Sequence, residues 1–122
     1  MTSVAEAQYD VCGTEELPPG SCKIVEVGGR SIGVFNVKGR FRALLNLCPH
    51  GGAPLCRGVV GGMSTAAQPG LDVTWEREGE ILRCPWHGWE YEIETGRTVT
   101  DPPIRVKTFA VSVENGRVLV DV

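Results

Sequence analysis

The chain has little histidine and no surplus of positive charge. Its 122 residues hold 2 His, and 12 Lys and Arg stand against 15 Asp and Glu, a formal net charge of −3. Without a basic footprint, nucleic acid is not an expected partner. No apolar run approaches the roughly 20 residues of a membrane span. The start, Met1-Thr2-Ser3-Val4-Ala5-Glu6, has neither a basic segment nor an apolar core, so no secretory signal is expected and a cytoplasmic location is. The 5 cysteines are odd in number, so they cannot all be bridged in pairs within the chain. In a cytosolic protein they are more often reduced and partly buried. Repeats, linkers and low-complexity tracts are also missing, and the length predicts one domain over 1–122.

What is present is turn-forming residues and short β-branched runs. With 16 Gly and 8 Pro, the chain is expected to be all-β. Tyr9–Cys12 is a first short strand, and Thr14-Glu15-Glu16 a single helical turn before Pro18-Pro19-Gly20. Strands are expected over Ser21–Val27, Ser31–Val37 and along Phe41, Ala43 and Leu45. Gly28-Gly29 and Lys38-Gly39-Arg40 turn the chain between them. Ile81-Leu82-Arg83 and Trp89–Ile93 are further short strands. Arg105–Glu114 alternates apolar residues through Val106, Phe109, Val111 and Val113. Asn115-Gly116 is the strongest hairpin signal, and Arg117–Val122 returns with Val118, Val120 and Val122 on one face. The last strands are expected to pair with the first.

Both histidines lie beside cysteines, in Cys48-Pro49-His50-Gly51-Gly52 and Cys84-Pro85-Trp86-His87-Gly88-Trp89. Two thiolates and two imidazoles make a complete four-ligand metal set. A structural zinc site also uses Cys₂His₂, but zinc motifs usually pair the cysteines in one run and the histidines in the other. Mixed runs suit a [2Fe–2S] cluster with both thiolates on one iron and both imidazoles on the other. Pro49 and Pro85 fix φ and carry no amide hydrogen. Gly51, Gly52 and Gly88 permit tight turns close to the cluster sulfurs.

These two runs resemble the Rieske iron–sulfur signature, and the resemblance extends from about Ser21 to Val122. It implies an antiparallel β base (9–47 and 104–122) with a small cluster-binding subdomain inserted (48–103), and one [2Fe–2S] cluster held by Cys48, His50, Cys84 and His87. Asp101-Pro102-Pro103 is either the proline loop that lies over such clusters or a connecting turn. The 33 residues over 51–83 exceed the usual gap between the motifs, so 59–79 is read as an insertion. Within it, Val60–Gly70 reads as a polar, flexible loop and Val73-Thr74-Trp75 as an extra strand.

Respiratory Rieske proteins carry an extra cysteine in each cluster loop; the matching positions are Ala53 and Trp86, which cannot bridge. Cys56 is therefore read as a free structural thiol. Their serine donor to sulfur is replaced by Trp89, read as a core aromatic, while Tyr91 keeps the second donor. A potential low within the Rieske range, roughly −150 to +300 mV, follows, falling at high pH as an imidazole loses its proton.

The runs are closest to those of ring-hydroxylating oxygenase systems. A terminal oxygenase needs a further mononuclear iron held by two histidines and a carboxylate, and no histidine is left for it. The resemblance thus implies an electron carrier, with a flavin-dependent reductase as donor and an oxygenase as acceptor. The alternatives are a small subunit of a multisubunit reductase such as nitrite reductase, and a structural zinc module. Glu90, Glu92, Glu94 and Asp101 are candidates for an acidic face that steers a basic partner, although a solvated face is the simpler reading of most of them.

Overall fold

The computed structural model describes residues 8–49, 51–65, 74–86, 88–99 and 102–122. Among these residues, ten antiparallel strands form three sheets. β1 (Gln8–Gly13), β10 (Arg117–Asp121) and β9 (Val111–Glu114) make the first, in the order β1-β10-β9. The second has the order β2-β3-β4-β8, from β2 (Cys22–Val27), β3 (Arg30–Val37), β4 (Arg40–Leu45) and β8 (Thr108–Phe109). The third has the order β5-β6-β7, from β5 (Val59–Thr65), β6 (Thr74–Arg83) and β7 (Glu90–Glu92).

Tight turns set the register. Gly28-Gly29, Lys38-Gly39 and Asn115-Gly116 each place two residues at positive φ, which matches hairpin twist. They pair Val27 with Arg30, Val37 with Arg40 and Glu114 with Arg117. Side chains alternate across the central sheet. Ile32, Val34 and Ala43 face one core with Val11, Leu17, Val118 and Val120 from the first sheet's side. Phe35, Val37 and Leu44 face a second core with Cys48, Leu55, Cys56, Leu82, Cys84, Tyr91 and Ile93. The central sheet is thereby covered on both faces.

Three expectations change. Val60–Thr65 is not a loop: it lies in β5, paired with β6 from Val59↔Arg83 to Thr65↔Thr74. The glycines that suggested a loop sit at a register shift between Gly61 and Met63, facing a kink in β6 where Arg77 (φ 61) and Gly79 (φ 85) are left-handed. Arg77 is held there by Glu80 at 3.1 Å and Glu92 at 3.0 Å. Residues 66–70 of the expected loop, and Val73 of the expected extra strand, lie outside the described residues; Thr74 and Trp75 belong to β6. The run Arg105–Glu114 is not one strand either. It crosses from the central sheet to the first at Ala110, whose carbonyl accepts the Asp121 N–H at 2.9 Å, and Val113 is exposed at the sheet edge. Third, Ile81-Leu82-Arg83 is the end of a ten-residue strand rather than a short strand of its own.

Asn36 is one of two buried polar residues among those described. Its Nδ2 donates to the Leu17 carbonyl and its Oδ1 accepts the Gly39 N–H, each at 2.7 Å. Asn36→Ala leaves both backbone groups short of a partner, a cost of about 2 kcal/mol. The expected result is a lower thermal unfolding midpoint, and an unchanged midpoint would contradict this accounting.

Candidate metal centre

The two cysteine loops close by the same backbone pattern. The Cys48 N–H donates to the Ala53 carbonyl at 2.8 Å, and the Gly52 N–H to the Cys48 carbonyl at 2.7 Å. In the second loop the Cys84 N–H donates to Trp89 at 2.8 Å, and the Gly88 N–H to Cys84 at 3.1 Å. Each cysteine thus bonds both of its backbone groups inside its own loop. Pro follows each cysteine, and the glycine four residues on is left-handed in both, with φ 79 at Gly52 and 73 at Gly88. The loops match although the Cys-to-His spacing differs by one residue.

β4 delivers the chain to Cys48, and β6 ends at Arg83, directly before Cys84. Both thiols are buried, at 1% and 2% exposure, in one apolar cluster with Ala53, Leu55, Leu82 and Ile93. Tyr91 on β7 is fully buried, and its hydroxyl lies 3.0 Å from Cys48 Sγ. Burial raises the Tyr91 hydroxyl above its ordinary pKa, with the hydrogen bond to Cys48 and the charges of both thiolates adding to the shift. It stays protonated and able to donate to sulfur. Trp89 is partly buried against the same cluster, in keeping with a core aromatic. Leu47, just before the first loop, and Trp86, within the second, are exposed.

His50, His87 and Asp101 lie outside the described residues, while Pro102 and Pro103 are exposed. Among the described residues no group of three or more His, Cys, Asp and Glu comes together. The donor set described is therefore the two thiols. Buried thiolates are costly without a cation, and soft thiolates select iron–sulfur clusters or zinc. A pair of buried thiols in matched loops fits one end of a [2Fe–2S] group.

The other thiols are of a different kind. None of the five cysteines is bridged. Burial pushes Cys22 up to about 12, and it raises Cys56, helped by Cys22 nearby. Cys12 is raised by burial and then by Glu16. All three are protonated at neutral pH, as expected for structural thiols.

The three described acidic candidates are not an open face. Glu90 pairs with Arg83 at 2.7 Å, Glu92 with Arg77 at 3.0 Å, and Glu94 with Arg40 and with Arg42, the latter at 2.7 Å. Glu92 is lowered below the usual carboxylate range by Thr95 and then by Arg77. Their partners come from β3–β4 and β6 registers that adjacency in sequence does not reveal. Sequence reading also passed over Asn46, Gly33 and Gly58, which join the loops to the sheets. For the glycines, the signal was glycine where no turn needs one.

The Rieske [2Fe-2S] domain family model matches residues 7–110. The chain is 29% identical over 119 residues to the ferredoxin component of the naphthalene 1,2-dioxygenase system of Pseudomonas aeruginosa, covering 97% of this chain and 98% of that protein. It is 30% identical over 98 residues to the corresponding component of Pseudomonas putida, covering 80% and 78%. Among solved structures, a chain in the complex of reduced oxygenase and oxidized ferredoxin of carbazole 1,9a-dioxygenase superposes with a TM-score of 0.73 at 28% identity, covering 95% of this chain and 94% of that one. This chain belongs to the Rieske [2Fe–2S] domain family. An iron–sulfur reading thus replaces zinc, and the all-β antiparallel architecture is that of Rieske ferredoxins. No helix among the described residues is long and apolar enough to cross a membrane.

The left-handed loop glycines generate a graded expectation. The space beside Gly88 is open, with Arg83 Cδ at 3.9 Å the nearest neighbour of an added Cβ, so the penalty is conformational. Gly88→Asn, which tolerates this region, is expected to cost less than Gly88→Val, for which the cost is about 1–2 kcal/mol or more. Thermal unfolding reads the order, and equal losses would mean that φ is not the constraint.

Proposed function

We propose that this chain is a one-electron carrier whose Rieske [2Fe–2S] cluster is held by Cys48 and Cys84 on one iron and by His50 and His87 on the other. It takes electrons from a flavin-dependent reductase and delivers them to a terminal oxygenase in the cytoplasm. The observation that carries the ligand assignment is the pair of buried thiols in loops closed by one backbone pattern, each loop holding one of the chain's two histidines. The likeness to ferredoxin components over nearly the whole chain supports the carrier role. In this reading 9–47 and 104–122 form the base, 48–103 the cluster subdomain, and 59–79 an insertion that lengthens the β5–β6 hairpin.

When bound, the cluster supplies a reversible one-electron couple at a potential above that of four-thiolate ferredoxins, because two neutral imidazoles replace two thiolates. The chain's own residues do the rest. Apolar neighbours exclude water from the thiolates, and the Tyr91 hydroxyl, 3.0 Å from Cys48 Sγ, is placed to donate to it once the sulfur is a ligated thiolate. Ala53 and Trp86 leave the loops without a disulfide, so hydrogen bonding and packing alone hold them.

The carrier is expected to bind about two iron and two sulfide per chain, with a visible spectrum that bleaches on reduction. Cys48→Ser and Cys84→Ser are each expected to lose that spectrum. One zinc with no sulfide, even after anaerobic reconstitution, would overturn the function. A cluster retained in both serine variants would overturn the ligand assignment.

Tyr91→Phe keeps the buried ring and removes the donor to sulfur. The reduced state carries more negative charge on sulfur and gains more from the bond. Taking about 1 kcal/mol for that difference, the midpoint potential falls on the order of 40 mV for one electron. A potential equal to or above that of the parent in protein-film voltammetry would show that this hydroxyl does not tune the centre.

A further inference from the structure

Two glycines that turn no corner join the cysteine loops to the sheets. Gly58 follows the 3₁₀ turn Leu55–Arg57 at φ −75 and ψ −170, a conformation open to any residue. What forbids a side chain there is space. A Cβ would overlap the Arg83 carbonyl oxygen and lie 2.9 Å from the Arg83 carbonyl carbon and 3.1 Å from the Leu55 carbonyl oxygen. These are backbone atoms, which cannot rotate aside. Gly33, in the interior of β3, is the matching case on the other side of the turn. A Cβ there would overlap Cys56 Sγ and lie 2.6 Å from Cys56 Cβ.

The turn is therefore gripped from both sides. Cys56 sits on Gly33 of the central sheet, and its N–H donates to Asn46 Oδ1 at 2.7 Å. Asn46 is itself tied to β3, through its backbone N–H to the Ser31 carbonyl at 2.8 Å and Nδ2 to Ser31 Oγ at 3.0 Å. On the far side Gly58 lies against the last residue of β6. Asn46 is two residues from Cys48, and Arg83 is adjacent to Cys84. The Asn46 and Arg83 contacts thus act within two residues of a cluster-loop cysteine, and the Gly33 contact holds the turn that makes both.

We propose that the Leu55–Arg57 turn is a rigid spacer, seated on Gly33 and Gly58, that fixes the separation and orientation of the Cys48 and Cys84 loops. Gly33 and Gly58 are positioning residues. The proposal rests on the assignment of these cysteines as cluster ligands. A methyl group at Gly58 drives the turn away from β6, and a methyl at Gly33 drives it off β3. Either moves one thiolate relative to the other without removing a ligand.

The test uses the loaded protein. Gly58→Ala is expected to shift the electron paramagnetic resonance g-values of the reduced form and to lose iron to a chelator about tenfold faster, the scale seen when supports of metal ligands are removed. Gly33→Ala is expected to do the same. Adding Cys56→Gly to Gly33→Ala removes both Cys56 atoms that the new methyl meets, and is expected to restore the parent g-values. Val118→Ala, in the core on the opposite face of the central sheet, serves as the control: it lowers the unfolding midpoint while leaving g-values and chelator kinetics unchanged.

Parent g-values and parent chelator kinetics in Gly58→Ala overturn the proposal. So does a failure of Cys56→Gly to restore Gly33→Ala, or an equal g-value shift in Val118→Ala. If Gly58→Ala does not fold, the Gly33 and Cys56 pair decides alone. A cluster retained in Cys48→Ser sinks the ligand assignment instead, a separate outcome from its loss there with Gly58→Ala unaffected.

Discussion

A central sheet with two apolar faces has to be covered twice. Along β3, Ile32 and Val34 point one way and Phe35 and Val37 the other, all at 1% exposure or less. Each such side chain stabilises by about 1.5–3 kcal/mol only while water is kept from it. The first sheet covers one face, through Val118 and Val120 on β10. The other face is covered by the cysteine loops, the Leu55–Arg57 turn and the β5-β6-β7 sheet. The loops are therefore part of the core that holds the central sheet together. A change that loosens them exposes Phe35, Val37 and Leu44, and a change in those residues reaches the thiols.

That arrangement also explains which parts of the fold sequence could reveal. The hairpins at Gly28-Gly29, Lys38-Gly39 and Asn115-Gly116 are local: two residues fix the twist and the register. The ligand motifs are local as well, since Pro, Gly and Cys at fixed spacing determine each loop. What was hidden depends on distant partners. Val60–Thr65 reads as a polar loop because of its two glycines, yet β6 pairs with every residue of it except Gly62 and places those glycines at a bulge. Arg105–Glu114 alternates as one strand, but β4 claims its first part and β10 its second, so it changes sheets at Ala110. Gly33 and Gly58 offered only the weak signal of glycine outside a turn, since both adopt ordinary φ values and are required only by what packs on them.

The five thiols show how position decides chemistry. Cys22 and Cys56 are held protonated by burial, and Cys56 works as a packing piece whose sulfur fills the hollow over Gly33. Cys48 and Cys84 are buried just as deeply, but they lie in closed loops, and Tyr91 aims a hydroxyl at the Cys48 sulfur. A metal ligand must be deprotonated, and a buried thiolate is tolerable only beside positive charge. Under the proposed ligand assignment, a bound cluster would supply that charge inside the core that covers the central sheet's second face.

The described carboxylates Glu90, Glu92 and Glu94 are arranged for structure rather than for long-range attraction. Glu90, Glu92 and Glu94 are matched by Arg83, Arg77, Arg40 and Arg42, and matched pairs project little field beyond a Debye length of about 8 Å at physiological salt. These pairs tie β6 to β7, and β4 to the chain that leaves β7, bracing the strand that carries Tyr91. Among the described residues, Leu47 before the first loop is 48% exposed and Trp86 in the second 58%. Exposed aromatics gain from burial at a partner's surface without needing an opposite charge. Glu90, Glu92 and Glu94, which looked available for recognition, are engaged in holding the scaffold, and Leu47 and Trp86 offer short-range apolar contact at this end of the molecule.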